Sequence, residues 1–137
     1  MEYDMILSIR PEYVKEIISG RKIYEFRKFC PGRPIDKIYI YETSPTKKII
    51  GYFNYSGVII DDKYSVWTKC CSSSGISKEN YLNYYSNSSS AYAFKITNLN
   101  ILKSSIDPYK IIDNFVAPQS YRYVKRGIID EFICDLV

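Results

Sequence analysis

The side chains best suited to chemistry in this sequence lie within six residues of one another, directly after a short helical pattern. Lys22, Glu25 and Arg27 supply an amine, a carboxylate and a guanidinium. On a strand, side chains two residues apart share one face, so Glu25 and Arg27 can pair or can together receive a polar planar ligand. An ordinary ion pair on an edge strand is the alternative that this spacing leaves open.

The position of Lys22 relative to Glu25 depends on where the strand begins. In a regular strand these two side chains would point to opposite faces, so they converge only if Lys22 lies in a turn before the strand. Gly20 permits such a turn, since glycine commonly ends a helix in the left-handed conformation. A desolvated lysine beside a carboxylate can act as a base or nucleophile. We expect Glu25 instead to raise the pKa of Lys22, which would keep the amine charged and favour binding over catalysis.

Composition restricts the other kinds of site. The sequence has no histidine, which excludes His-containing zinc sites and histidine acid–base or nucleophile pairs. Its four cysteines form no Cys-x-x-Cys pair and are predicted to be reduced and structural. We predict neither a metal site nor a cofactor.

Alternating apolar and polar residues predict strands separated by short helices. The first strand, residues 5–9, precedes a helix that Pro11 opens and Gly20 ends. Short helices are also predicted after Asp62, Ser77 and Asp107, which are good N-cap residues. Further strands are predicted at residues 37–42, 91–102 and 121–124, and residues 48–60 are a β-rich run in which Gly51 and Gly57 are expected to mark a bulge or bend. The pattern indicates an α+β domain built round a small closed or nearly closed barrel.

Four sequence blocks, in this order, resemble the ASCH domains, a branch of the PUA-like superfamily. They are residues 7–13, the motif Gly20-x-Lys22-x-x-Glu25-x-Arg27, residues 41–45 and residues 117–121. The resemblance is to stand-alone archaeal and bacterial ASCH proteins and covers residues 4–124. It implies a small, mostly antiparallel PUA-like β-barrel with short helices inserted at the connections, which we assign to residues 1–125.

Residues 126–137 follow this domain and have the spacing of an amphipathic helix. We predict that this helix packs on the barrel, with a protein-partner or homodimer surface as the alternative.

The resemblance implies that the protein binds RNA, a nucleotide or a modified nucleoside, with a regulatory role as one option. Cations would contact phosphate, Glu25 would accept from an exocyclic amine of a base, and Tyr24 or Tyr41 would stack on a base. The predicted binding residues are Arg10, Lys22, Tyr24, Glu25, Arg27, Ser44, Gln119 and Ser120.

A hydrolase acting on modified nucleosides or RNA is the alternative function. Some bacterial relatives are amidohydrolases on N4-acetylcytidine that use a lysine, a threonine three residues later and a distant glutamate. Lys22 matches the lysine, Glu25 occupies the threonine position, and Glu79 is a loose match for the distant carboxylate. A metal-dependent ribonuclease activity is also ascribed to ASCH relatives, although the carboxylates here lack metal-binding spacing.

Charge and hydropathy limit the partners. The formal net charge is +4, and residues 1–50 contain ten Lys/Arg against seven Asp/Glu, which is compatible with a polyanionic partner. No apolar run approaches the roughly 20 residues of a membrane span, so no membrane partner is expected. The N-terminus lacks the layout of a signal peptide, and we predict a cytoplasmic location.

Overall fold

The structure, a computed structural model, describes residues 1–133. Over these residues the chain forms eight strands, four α-helices and two short 3-10 helices at Cys71–Ser73 and Asp130–Phe132. The strands are β1 (Tyr3–Ile9), β2 (Tyr24–Arg27), β3 (Ile35–Glu42), β4 (Lys48–Asn54), β5 (Val58–Asp62), β6 (Ser90–Lys95), β7 (Thr97–Ile106) and β8 (Tyr121–Lys125). The α-helices are α1 (Pro11–Ile18), α2 (Lys63–Cys70), α3 (Lys78–Tyr84) and α4 (Pro108–Ile111).

The strands form one sheet of five, in the order β7-β4-β3-β1-β8, and one of three, in the order β2-β6-β5. β1 and β3 are parallel, and the other neighbouring strands are antiparallel. The predicted α+β, mostly antiparallel fold is therefore confirmed. Within residues 1–133 the barrel is not fully closed, because no hydrogen-bonded pair of strands joins the two sheets.

The two sheets are separate because the chain crosses between them within two predicted β-rich runs, and the bend expected at Gly57 is one of these crossings. The run 48–60 divides into β4 and β5 around Gly57, which has φ +98°. The predicted strand 91–102 divides into β6 and β7 at Ile96, and Asn98, with φ +52°, lies just inside β7. Glycine adopts the left-handed conformation more readily than other residues, so the first crossing occurs where the backbone permits it.

Three clusters of buried apolar residues pack the layers of the fold together. Alternation along β1 sends Met5 and Leu7 into a cluster that also contains Phe94 of the three-stranded sheet. The intervening Ile6 faces a second cluster, which contains Tyr39. A third cluster joins the other face of the three-stranded sheet, through Phe26, to α2 and α3. The cleft described below opens between these layers, at the free edge of β2.

The predicted helix starts agree with the structure. Pro11 begins α1, where its missing N–H leaves no hydrogen bond unmade, and Gly20 follows the helix end with φ +84°. Side chains of Asp62, Ser77 and Asp107 accept backbone N–H groups at the starts of α2, α3 and α4.

The described part of the C-terminal segment does not form the predicted continuous helix. Residues 126–129 are turns, followed by the 3-10 helix Asp130–Phe132. Ile129 is buried in the second cluster, and the Asp130 carboxylate accepts from Lys37 Nζ at 3.0 Å and from the Tyr39 hydroxyl. These contacts hold the segment against the five-stranded sheet. Residues 134–137 lie outside the described residues, so the domain boundary at 125 and the partner role stay predictions.

Within residues 1–133, the structure contains no helix long and apolar enough to cross a membrane. Cys30, Cys70 and Cys71 are free thiols, and Cys134 lies outside the described residues.

Candidate functional site

A cleft of about 800 Å³ lies between the start of α1, the edge strand β2 and helix α3, and we call it the Lys22 cleft. It is lined by Ser8, Ile9, Arg10, Glu12, Tyr13, Lys22, Glu25, Phe26, Arg27, Thr43, Ile76, Asn80, Tyr81, Asn83, Tyr84, Gln119 and Ser120. These residues come from sequence segments as far apart as β1 and the residues just before β8. The lining contains three cations and two anions, which gives a formal charge of +1.

Lys22 precedes β2, as the convergence of Lys22 and Glu25 requires. Its backbone N–H donates to the Glu16 carbonyl at 3.0 Å, and the residue forms an isolated bridge with Ser74. The next residue of that loop, Gly75, has φ +61°, and a Cβ there would lie 2.4 Å from Lys22 Cβ. A side chain at position 75 would therefore displace Lys22, so the glycine lets the loop close over it.

Glu25 lies between two cations in the interior of the protein. Lys22 Nζ is 3.5 Å from Glu25 Oε1, and Arg27 donates to Glu25 Oε2 through Nη2 at 2.6 Å and Nε at 2.9 Å. The side chains are 2% exposed for Lys22, 8% for Glu25 and 12% for Arg27. Because a buried charge needs partners to offset the loss of hydration, the three residues form one ionic unit, which we call the Lys–Glu–Arg cluster.

Hydrogen bonds to backbone carbonyls connect the Lys–Glu–Arg cluster to two other parts of the chain. Lys22 Nζ donates to the Ser74 carbonyl at 2.8 Å, in the loop before α3. Arg27 Nη2 donates to the Ser8 carbonyl on β1 at 2.6 Å, and Arg27 Nη1 donates to Ser120 Oγ at 3.4 Å. These bonds fix the orientation of both cations, and through them the carboxylate of Glu25.

The expected effect of Glu25 on Lys22 was wrong in its net direction. Burial lowers the pKa of Lys22 below its ordinary value, and Glu25 opposes this without overcoming it. The Lys22 ammonium also lies 4.8 Å from the ring centroid of Phe26 and 5.4 Å from that of Tyr13. The sequence reasoning included the neighbouring carboxylate but could not include the loop at Ser74 that buries the amine.

The structure brings most of the predicted site residues to the Lys22 cleft. Those that line it are Arg10, Lys22, Glu25, Arg27, Gln119 and Ser120.

Four residues considered from the sequence do not line the Lys22 cleft. Tyr24 alternates with Glu25 along β2 and packs against the third cluster. Ser44 is exposed in the turn after β3, where its neighbour Thr43 lines the cleft instead. Glu79 is exposed on the first turn of α3 and is absent from the lining. Tyr41 is 1% exposed and packs on Phe115 in the second cluster.

Sequence reasoning missed the wall that α3 contributes. Asn80, Asn83 and Tyr84 line the cleft together with the buried Tyr81, and Tyr85, the C-cap residue of the helix, is also buried. Spacings of three and four residues place Asn80, Asn83 and Tyr84 on one helical face. That polar face was visible in the sequence, but nothing there indicated that it lines the same cleft as Arg27.

Among residues 1–133, no group of three or more His, Cys, Asp or Glu side chains is arranged to hold a metal ion. The chemistry that the described cleft itself offers is that of cations, one oriented carboxylate, hydroxyls and amides.

Comparison with known proteins gives consistent matches over most of the chain. The ASCH domain family model matches residues 7–102. The ASCH domain-containing ribonuclease of Zymomonas mobilis is 29% identical over 126 residues, which cover 90% of this chain and 85% of that protein. The crystal structure of ASCH from Zymomonas mobilis has a TM-score of 0.85 at 26% identity and covers 95% of this chain and 93% of that one. A tyrosine-to-phenylalanine mutant of the same protein gives a TM-score of 0.84, also at 26% identity, covering 95% and 96%.

The lowered pKa of Lys22 predicts how stability depends on pH. The unfolded chain holds this proton up to a pKa near 10.5, whereas the folded protein releases it at lower pH. The free energy of unfolding of the wild type should therefore rise, relative to Lys22→Met, as pH increases from neutral to 10.5. The rise should be about 1.4 kcal/mol for each pH unit between the two pKa values.

Urea denaturation of both proteins across this pH range measures the difference. Lys15→Met, which removes an exposed lysine of α1, controls for the loss of one positive charge. A fall in the relative stability of the wild type with rising pH would mean that the effect of Glu25 outweighs that of burial. The pKa of Lys22 would then lie above its ordinary value, contrary to this account.

Proposed function

We propose, since this chain belongs to the ASCH domain family, that it binds single-stranded RNA and holds one nucleotide in the Lys22 cleft. The relative from Zymomonas mobilis is named a ribonuclease, which supports RNA as the ligand class. Recognition of RNA sequence usually uses unpaired bases that can leave the stack and enter a protein cleft.

The observation that carries the proposal is the Lys–Glu–Arg cluster on the wall of the cleft. It holds two cations and one anion in fixed positions, which leaves one positive charge beside a cavity of about 800 Å³. An anionic ligand would complete the charge balance of such a site. A nucleotide supplies both the anion and a planar polar base, and a volume of this size lies within the range of ligand pockets.

Different cations have different roles in this proposal. Lys22 and Arg27 are largely buried and already donate to backbone carbonyls, so they orient Glu25. Arg10 is exposed at the cleft, and its guanidinium makes no hydrogen bond or ion pair with another described residue. Arg10 is therefore the phosphate contact, while Glu25 accepts from an amino group of the base.

Salt dependence tests the phosphate contact. The affinity of the wild type for a short single-stranded RNA should fall with rising salt, and Arg10→Ala should reduce the log–log slope by about 0.7. Lys103→Ala removes an exposed charge on β7, which lies at the far end of the five-stranded sheet, and should leave the slope unchanged. Fluorescence anisotropy at several salt concentrations measures all three proteins. Equal slopes for the wild type and Arg10→Ala would show that Arg10 does not contact phosphate.

A second candidate function is hydrolysis of RNA or of a modified nucleoside in the same cleft. The specific observation that favours it is the lowered pKa of Lys22, because a lysine that loses its proton more readily is a better base or nucleophile. Its amine lies 3.5 Å from Glu25 Oε1, within reach of a proton relay through small movements.

Product analysis separates the two candidates. If the cleft hydrolyses RNA, the wild type should fragment a labelled single-stranded RNA, and Lys22→Met and Glu25→Gln should be slower by about 100-fold or more. Lys15→Met should retain the wild-type rate. A parallel incubation with N4-acetylcytidine, read by mass spectrometry, tests nucleoside hydrolysis. RNA that is bound but recovered intact would reject hydrolysis of RNA and leave the binding function standing.

A further inference from the structure

Helix α3 presents a polar face to the Lys22 cleft that the fold itself does not require. The N-cap of the helix is Ser77, whose hydroxyl accepts from the Asn80 N–H at 3.1 Å. Tyr81 and Tyr85 are fully buried and attach the helix to the third cluster. The helix is thus anchored by buried side chains, and of the cleft-face residues Tyr84 also packs on the Tyr85 ring.

The side chains on that face are available to a ligand. Asn80 and Asn83 are exposed, and neither side-chain amide hydrogen-bonds another described residue. Tyr84 is 39% exposed, and the ammonium of Lys28 lies 4.6 Å from its ring centroid. Each amide offers a donor and an acceptor side by side, which matches the edge of a base and not the uniformly accepting oxygens of a phosphate.

The part of the lining that does not come from α3 contains the charged groups of the cleft. It contains Arg10 and the Lys–Glu–Arg cluster, whereas the α3 wall contributes amides and a phenol. A nucleotide is divided in the same way, with charge at the phosphate and a donor–acceptor pattern at the base edge. A nucleotide with its phosphate at Arg10 would therefore have Glu25 and the α3 amides left to contact the polar groups of its base.

We infer that the α3 face of Asn80, Asn83 and Tyr84 is the base-reading wall of the Lys22 cleft, an inference that rests on the proposed RNA-binding function. Glu25 is an acceptor while ionised, so it favours bases with an exocyclic amino group. Adenine and cytosine carry such a group next to a ring acceptor, and uracil does not. The cleft should prefer adenine or cytosine to uracil.

Base preference tests this inference independently of phosphate binding. Affinities for hexamers of adenosine, cytidine and uridine, and for an abasic hexamer, would be measured with the wild type and the double variant Asn80→Ala/Asn83→Ala. The wild type should bind the adenosine or the cytidine hexamer roughly 5- to 100-fold more tightly than the uridine hexamer. The double variant should lose most of this ratio and keep the salt slope of the wild type.

Asn87→Ala is the matched control, because Asn87 is exposed just beyond α3 and is absent from the cleft lining. It should keep the wild-type ratio. Equal wild-type affinities for all hexamers, or a base preference that survives in the double variant, would overturn the inference and leave RNA binding intact. Failure of the wild type to bind any hexamer would overturn the proposed function together with the inference.

Discussion

The carboxylate of Glu25 is held between two cations in the interior of the protein, and three separate parts of the chain meet around it. Removing each ion from water costs several kcal/mol unless its partners are well placed. Here the partners include the Ser74 carbonyl from the loop before α3 and the Ser8 carbonyl from β1. The edge strand β2 can therefore dock with its charges satisfied only if that loop and β1 occupy their observed positions. The geometry of the cleft follows from this ionic constraint.

A buried charge cluster of this kind is weak support for stability, since well-packed apolar residues often stabilise a protein as much or more. Its advantage lies in orientation. The hydrogen bonds of Lys22 and Arg27 hold Glu25 in place before any ligand arrives. Binding therefore costs little conformational entropy at this side chain. Because Gly75 has no side chain to collide with Lys22, the loop can cover the amine. The resulting burial lowers the pKa of Lys22. The same burial that costs stability makes the amine of Lys22 a better base or nucleophile.

Much of the local structure could be predicted from the sequence, because its causes are local. The N-caps at Asp62 and Ser77 and the turn before β2 depend on neighbouring residues. The bend at Gly57 could be predicted, but the division at Ile96 was missed because Ile96 continues the apolar alternation of a strand. The direction of the pKa shift of Lys22 was misjudged because its main cause is burial, to which a loop 52 residues away contributes. The α3 wall was missed because helical periodicity identifies a polar face but not what lies opposite it.

The central claim is that a nucleotide of single-stranded RNA occupies the space between the Lys–Glu–Arg cluster and α3. The most direct measurement is an NMR titration of labelled protein with a short single-stranded RNA, following backbone and side-chain amide signals. The account predicts that the largest shifts occur at Arg10, along β2, and at the side-chain amides of Asn80 and Asn83. Shifts confined to β7 or to the face of the sheet around Tyr39, with the cleft signals unmoved, would contradict it.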